Sequence, residues 1–341
     1  VRSVVLLLAA LVGCGRVGFD DRFDGGSGSD ATADARIDAS FTSRHWVNRG
    51  AGAPGILFAP KLVYHPIRRT VVMYGGGGGI TPNIVSDEMW EWDGTTWTQL
   101  CTNCAPGGRR YHAMTYDSGR DRIVLFGGRP GGVELDDLWE WDGTTWTERT
   151  PSGTRPSGRA GAQLGYDPDR QRVVLMGACA GGRDIWEWDG TAWANPMPAG
   201  GPVAVGGHGT EMTYDHANHR LLVLADTCDL ASARDELFAW NGSTWTMVCE
   251  SCSGVARTDA TIINDLALNT TYLIGGFEGT EIRGTENLVG DRWQAYDNMP
   301  PGRDSVGIAY DEARDVIVMY GGNGAAACGG DCDQTWEFVP D

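Results

Sequence analysis

The stretch WEWDGTTW occurs twice, at 90–97 and 139–146, and returns as WEWDGTAW at 186–193 and FAWNGSTW at 238–245. In each copy two aromatics flank one other residue, so alternate side chains point to opposite faces of a strand. Asp-Gly or Asn-Gly follows, and a closing tryptophan opens the returning strand. That is the pattern of a tight β-hairpin.

Working outward, Trp46, Trp97, Trp146, Trp193, Trp245 and Trp293 fall at steps of 47 to 52 residues. A second register runs in parallel through Trp90, Trp139, Trp186, Phe238, Glu286 and Trp336. Self-similarity at a fixed period means one supersecondary unit stacked many times. The second copy shows the whole unit. RYHAMTYD (110–117) predicts a first strand, SGRD (118–121) a turn, and RIVLFGG (122–128) a buried second strand. LWEWD (138–142) and TTWTERT (144–150) complete it around Gly143. Four short antiparallel strands in about 50 residues predict a propeller blade.

These residues resemble the kelch repeat, in which a glycine doublet follows a hydrophobic strand, then an acidic residue near an aromatic, then a tryptophan. The doublets are Gly75-Gly76, Gly127-Gly128, Gly275-Gly276 and Gly321-Gly322. Blade three has Gly177-Ala178 and blade four Ala225-Asp226, while blade five has Glu286 and Leu288 where others have aromatics. The resemblance covers residues 42–341 and implies an all-β, six-bladed kelch propeller, related to the central domain of galactose oxidase. It says little about function, since this fold hosts many. The last repeat ends at TWEFVPD (335–341) without a fourth strand, and SRHWVNRG (43–50) is a fourth-type strand without partners. The strand around Trp46 is therefore expected to complete the last blade and remove the exposed edges.

VVLLLAALV (4–12) is too short to span a bilayer but suits a signal-peptide core. Leu11-Val12-Gly13-Cys14 looks like a bacterial lipobox, which implies acylation of Cys14 and a signal peptide over 1–14. One lysine, Lys61, against 26 arginines fits a GC-rich bacterial genome, and Gly15 after the cysteine favours the outer membrane. Residues 15–41 read as a disordered Gly/Ser/Asp-rich tether, with carboxylates off the spacing of a calcium loop. The expected location is the cell envelope, with membrane contact through the lipid alone and a monomeric domain outside it. A formal charge of −18 excludes nucleic acid as a partner.

Eight further cysteines in an exported chain favour disulfides. Cys101–Cys104, Cys249–Cys252 and Cys328–Cys332 would pair locally, and Cys179–Cys228 would bridge two blades. Topology places all eight on one rim. Zinc or redox chemistry is the competing reading of the two Cys-x-x-Cys pairs. The pairs lie three blades apart, however, and no helix is predicted beside them. No metal or other cofactor is therefore expected.

The same rim carries Arg109, Arg159, Arg257 and Arg303, seven residues before Tyr116, Tyr166, Asn264 and Tyr310. An arginine fork suits carboxylates and polar sugar or peptide groups, and it equally suits structural acids such as Asp137 and Asp184. With Tyr111, His112 and His208 these arginines are the candidate ligand contacts, for a protein or carbohydrate. No Gly-x-Ser-x-Gly, phosphate loop or His-Glu-x-x-His occurs, so no catalytic residue is assigned. His216 and His219 fall in a turn on the opposite face. The expectation is a binding or scaffolding module rather than an enzyme. The alternative is a small carbohydrate-active enzyme of the sialic acid mutarotase type, an exported six-bladed kelch class. Carboxylates converging with arginine at the central pocket would favour that enzyme, and an apolar plug the module.

Overall fold

The second strand of each blade is an almost unbroken apolar run: TVVMY, RIVLF, RVVLM, RLLVL, TTYLI and VIVMY. Such runs belong to strands buried on both faces, and here each is sandwiched between neighbouring sheets. The computed structural model describes residue 43 onward, except 79–83, 178–183, 198–200, 203–210, 226–235, 251, 253–256, 280, 283, 297–301 and 325–329. Residues 1–41, where a signal peptide and tether are expected, lie outside the described residues with Cys14, Cys179, Cys228, Cys328 and His208.

After β1 (Arg44–Ala51), blade one holds β2 (Lys61–His65), β3 (Thr70–Tyr74), β4 (Met89–Trp92) and β5 (Trp97–Cys101). Blade two holds β6 (Ala113–Asp117), β7 (Arg122–Phe126), β8 (Leu138–Trp141) and β9 (Trp146–Arg149). Blade three holds β10 (Gln163–Asp167), β11 (Arg172–Met176), β12 (Ile185–Trp188) and β13 (Trp193–Ala194). Blade four holds β14 (Glu211–Asp215), β15 (Arg220–Leu224), β16 (Leu237–Trp240) and β17 (Trp245–Cys249). Blade five holds β18 (Thr261–Asp265), β19 (Thr270–Ile274), β20 (Thr285–Val289) and β21 (Arg292–Tyr296). Blade six starts with β22 (Gly307–Asp311) and β23 (Val316–Tyr320). After the short pair β24 (Asn323–Gly324) and β25 (Gly330–Asp331) it continues with β26 (Gln334–Pro340).

Each blade is a four-stranded antiparallel sheet, and the sixth has the order β1-β26-β23-β22. The N-terminal strand therefore closes the ring, with Trp46 opposite Phe338 and its ring stacked on it at 4.9 Å. The six first strands touch their neighbours all the way round, β22 meeting β2. The architecture is a six-bladed propeller.

Two repeated devices hold it. In the hairpin loops, Asp142 Oδ1 accepts the backbone N–H groups of Thr144 and Thr145, and Asp93, Asp189 and Asn241 do the same in their blades. Gly143 follows with φ 94°, a conformation a side chain would resist. Between blades, Asp117 binds Arg120, Arg120 binds Glu140, and Glu140 accepts the indole N–H of Trp188 in the next blade. Asp167–Arg170–Glu187–Trp240 and Asp311–Arg314–Glu337–Trp92 repeat the chain. In blade five Leu268 stands where the arginine would be. Arg44, fully buried on β1, takes its place and meets Asp265 at 2.6 Å and Asp315 at 2.5 Å.

Candidate functional site

The four register-matched arginines belong to the frame. Arg109 forms a bidentate pair with Asp137, both bonds at 2.8 Å, and Arg159 pairs with Asp184 at 2.9 and 3.0 Å. Arg257 meets Glu286 at 2.5 Å, and Arg303 meets Gln334 at 3.1 Å. Each also donates Nη1 to the carbonyl of the first residue after its own second strand: Gly127, Gly177, Gly275 or Gly321. The doublet's second N–H then binds the carbonyl at the arginine position of the next blade: Gly76 to Arg109, Gly128 to Arg159, Gly276 to Arg303, Gly322 to Leu57. With all four arginines at most 4% exposed, their guanidinium groups are turned into the wall. The expectation of direct ligand contact is corrected for these four. His112 is also fully buried, packed edge-on against Tyr74, and burial drives its imidazole to the neutral form.

In the described copies, the second residue after this register borders the channel. Ala59, Tyr111, Gly161, Asp259 and Ser305 share one register and all have left-handed backbones, with φ between 51° and 75°. This conformation bends the chain inward at the channel mouth. Backbone bonds then link neighbouring blades there: Ala59 N to Ser305 O at 2.8 Å, Gly161 N to Tyr111 O at 2.9 Å, Ser305 N to Asp259 O at 3.2 Å.

The side chains on this collar are polarised. In blade two, Arg110 and Arg129 are directly opposite residues of an antiparallel bridge. Their guanidinium carbons lie 5.6 and 5.0 Å from the Tyr111 ring, and Phe58 packs edge-on against that ring at 5.7 Å. Like charges facing each other across a strand pair repel, and carboxylates lie within range of the same ring. Blades five and six supply carboxylates. Asp304 is 7% exposed, and burial, then Asp259 and Glu281, push its carboxyl up to about 7, against bonds from Ser305 and Asn323. Burial and the same two aspartates push the Tyr111 phenol up to about 12, so it stays a proton donor at neutral pH. Below the collar, Lys61 reaches across the channel to Gln163 at 3.0 Å.

Of the residues singled out in the sequence, Tyr111 alone is placed in this site among those described. Arg110, Arg129, Asp259 and Asp304 escaped notice because they do not repeat. The usable signal was that contrast: positions 110–111, 160–161, 258–259 and 304–305 differ between blades while the arginine before them recurs. The Cys101–Cys104 and Cys249–Cys252 disulfides form, with Cα separations of 5.8 and 5.4 Å, and Cys332 is also disulfide-bonded. Among the described residues no cluster of His, Cys, Asp and Glu could hold a metal. His219 bonds to Asp169 of blade three on the opposite face.

No protein-family model and no curated protein matches the chain. Among solved structures the chain is similar to that of YjhT, with a TM-score of 0.63 over 83% of this chain and 95% of that one, at 13% identity. At that identity the likeness establishes the six-bladed ring. The expectation of a module rather than an enzyme is corrected here. Among the described residues, the carboxylates of Asp259 and Asp304 converge with Arg110 and Arg129 on Tyr111, the arrangement set out above as favouring the enzyme.

Proposed function

We propose that the chain is a small carbohydrate-active enzyme that interconverts the anomers of an acidic sugar, in the manner of a sialic acid mutarotase. The observation that carries this reading is the cross-strand pair Arg110–Arg129 on Tyr111, set at the same mouth as a protonatable Asp304. The two guanidinium groups bind the sugar carboxylate, and the Tyr111 ring supports the pyranose face. Asp304, with a carboxyl at about 7, is matched to give and take protons near neutral pH.

In the reaction, Asp304 gives its proton to the ring oxygen while the Asp259 carboxylate takes the proton of the anomeric hydroxyl. The bond between anomeric carbon and ring oxygen breaks, and a free carbonyl forms. After rotation about the adjoining bond the two transfers reverse, and the ring closes on the other carbonyl face. Nothing is oxidised, reduced or lost, so acid–base groups suffice. Positioned proton transfer of this kind contributes about 10²- to 10⁴-fold. The same reading keeps the envelope location, with a lipid on Cys14 and rigid disulfide-bonded loops around the mouth.

The test is anomer exchange of N-acetylneuraminic acid followed by magnetisation-transfer NMR. The native protein is expected to accelerate exchange, Asp304→Asn to lose at least about 100-fold of it, and Arg110→Gln with Arg129→Gln chiefly to raise KM. Exchange no faster than in buffer, or an Asp304→Asn protein as active as the native one, would refute the proposal.

A further inference from the structure

Two of the fourth strands, β5 and β17, end alike. Met89 pairs with Cys101 and Trp90 with Gln99, so Leu100 is an extra residue, a β-bulge; Val248 is the same before Cys249. The cysteine that closes each strand is then bonded to another three residues on, Cys104 or Cys252. Cys101 and Cys249 are half-buried, whereas Cys104 and Cys252 are core residues. Cys104 packs in one cluster with Trp146, and Cys252 in another with Trp293, in both cases the closing tryptophan of the blade that the link enters.

From the buried cysteine the chain counts the same way twice. Five residues on come the wall arginines Arg109 and Arg257, and seven on come the collar residues Tyr111 and Asp259. In blade two the contacts between these points are continuous. The Cys104 carbonyl accepts the Gly107 N–H at 2.7 Å, and Arg109 donates to the carbonyls of Pro106 and Gly107. In blade five the Cys252 carbonyl accepts the Trp293 N–H at 3.1 Å, and Thr258 pairs with Phe277 in both directions. No other link into a first strand carries a cysteine. Among the described residues, those other links bring Ala59, Gly161 and Ser305 to the collar register. The two bridged links are the ones that bring a phenol and a carboxylate.

We infer that the two disulfides position the reacting groups of the proposed site: Cys101–Cys104 sets Arg110 and Tyr111, and Cys249–Cys252 sets Asp259. The inference rests on the enzymatic reading of the mouth. A bridge over so short a loop removes little chain entropy, and four of the six links hold their blades without one. What the bridge fixes is the direction in which the link leaves its strand, and with it the aim of the collar side chain. Such precision matters at a reacting centre, where a misplacement of about 1 Å costs about 10²-fold in rate. It matters for binding too, because a group ordered beforehand loses less freedom when the ligand arrives. Asp304 needs no bridge, since it is buried one residue before the register and held by Ser305 and Asn323.

Cys101→Ala with Cys104→Val removes one bridge from the full chain and keeps an apolar side chain in the core; Cys249→Ala with Cys252→Val removes the other. Both variants should stay folded and melt within a few degrees of the native protein. Anomer exchange of N-acetylneuraminic acid then tells them apart. The first variant is expected to raise KM about tenfold at nearly native kcat, and the second to lower kcat about tenfold at nearly native KM. Hydrogen exchange at the Arg110 and Thr258 amides, which bond to Arg129 and Phe277, reads the same point without catalysis. Arg110 should exchange about tenfold faster in the first variant alone, and Thr258 in the second alone. The same change in KM and kcat for both variants, or native exchange at both amides, would overturn the inference. A native protein without anomer exchange, in which each amide is still loosened by loss of its own bridge, would refute the enzymatic reading and uphold the positioning of the mouth.

Discussion

Asp304 is a residue whose environment works against its charge. Its folded carboxyl is raised to about 7, so the folded protein holds a proton that the unfolded chain releases near the ordinary carboxylate value. The resulting stabilisation is complete below about pH 4 and is lost as pH rises through about 7. Asp304→Asn should therefore melt higher than the native protein at about pH 8, by a free energy of up to about 4 kcal/mol, and the two should converge near pH 4. A native melting temperature that does not fall between those values would show the carboxyl to be ordinary. Arg109 and Arg303 make a second contrast, although they occupy one register. Removing Arg109 strands the Asp137 carboxylate, whereas Arg303 faces the amide of Gln334, and burial alone lowers its guanidinium to about 10. Arg109→Met should cost about 3–5 kcal/mol and Arg303→Met no more than about 2 kcal/mol. Urea midpoints that fall equally would remove the carboxylate from the explanation.

The repeated hairpin is the element that made the fold readable. WEWDGTTW sets its second tryptophan, Trp92 or Trp141, into the core, then turns on an aspartate whose oxygen collects the loop's N–H groups. The bond from Thr144 first, then those from Thr145, hold the Asp142 carboxyl at about 2. Its contribution is therefore present above about pH 4 and fades as pH falls through about 2. Asn241 makes the same backbone bonds in blade four, which gives a control within the chain. Asp142→Asn should be near neutral at pH 7 and lose the acid-side fall, and Asp142→Ala should cost about 1 kcal/mol, as for a lost cap. Thermal melts across that range decide it. The hairpins, the second strands and the orphan strand at Trp46 were legible because periodicity and burial coincide in them. The substitution of Arg44 for the arginine missing at Leu268 was not, because its partners are more than 200 residues away. The collar was missed for the opposite reason. Its side chains serve no strand and leave no period.

For the whole molecule, closure by β1 is the decisive contact. Arg44 neutralises Asp265 and Asp315, and Trp46 stacks on Phe338 and donates to Thr285 of blade five. A chain beginning at residue 42 should melt as the longer one does. A chain beginning at residue 51 loses both side chains, and the aromatic alone should cost about 3–5 kcal/mol. Equal melting temperatures for the two would mean that β1 adds nothing to the ring. At the mouth, Arg110, Tyr111 and Arg129 sit on blade two, away from this seam, whereas Asp304 leads into β22 of the blade that β1 completes.

Asp341 gives its backbone N–H to the Ser43 carbonyl at 2.8 Å, and its side chain meets His45. The last described residues of the ring thus sit beside the first, and covalent order matters less than strand order. A short Gly-Ser joint from Asp341 to Ser43, with new ends cut at the exposed loop around Gly143, would give a circular permutant whose sixth blade is continuous. In such a molecule the seam is shifted to blade two, and an anchoring segment could be attached there. The orientation in which the mouth is presented to a surface would then be a matter of choice.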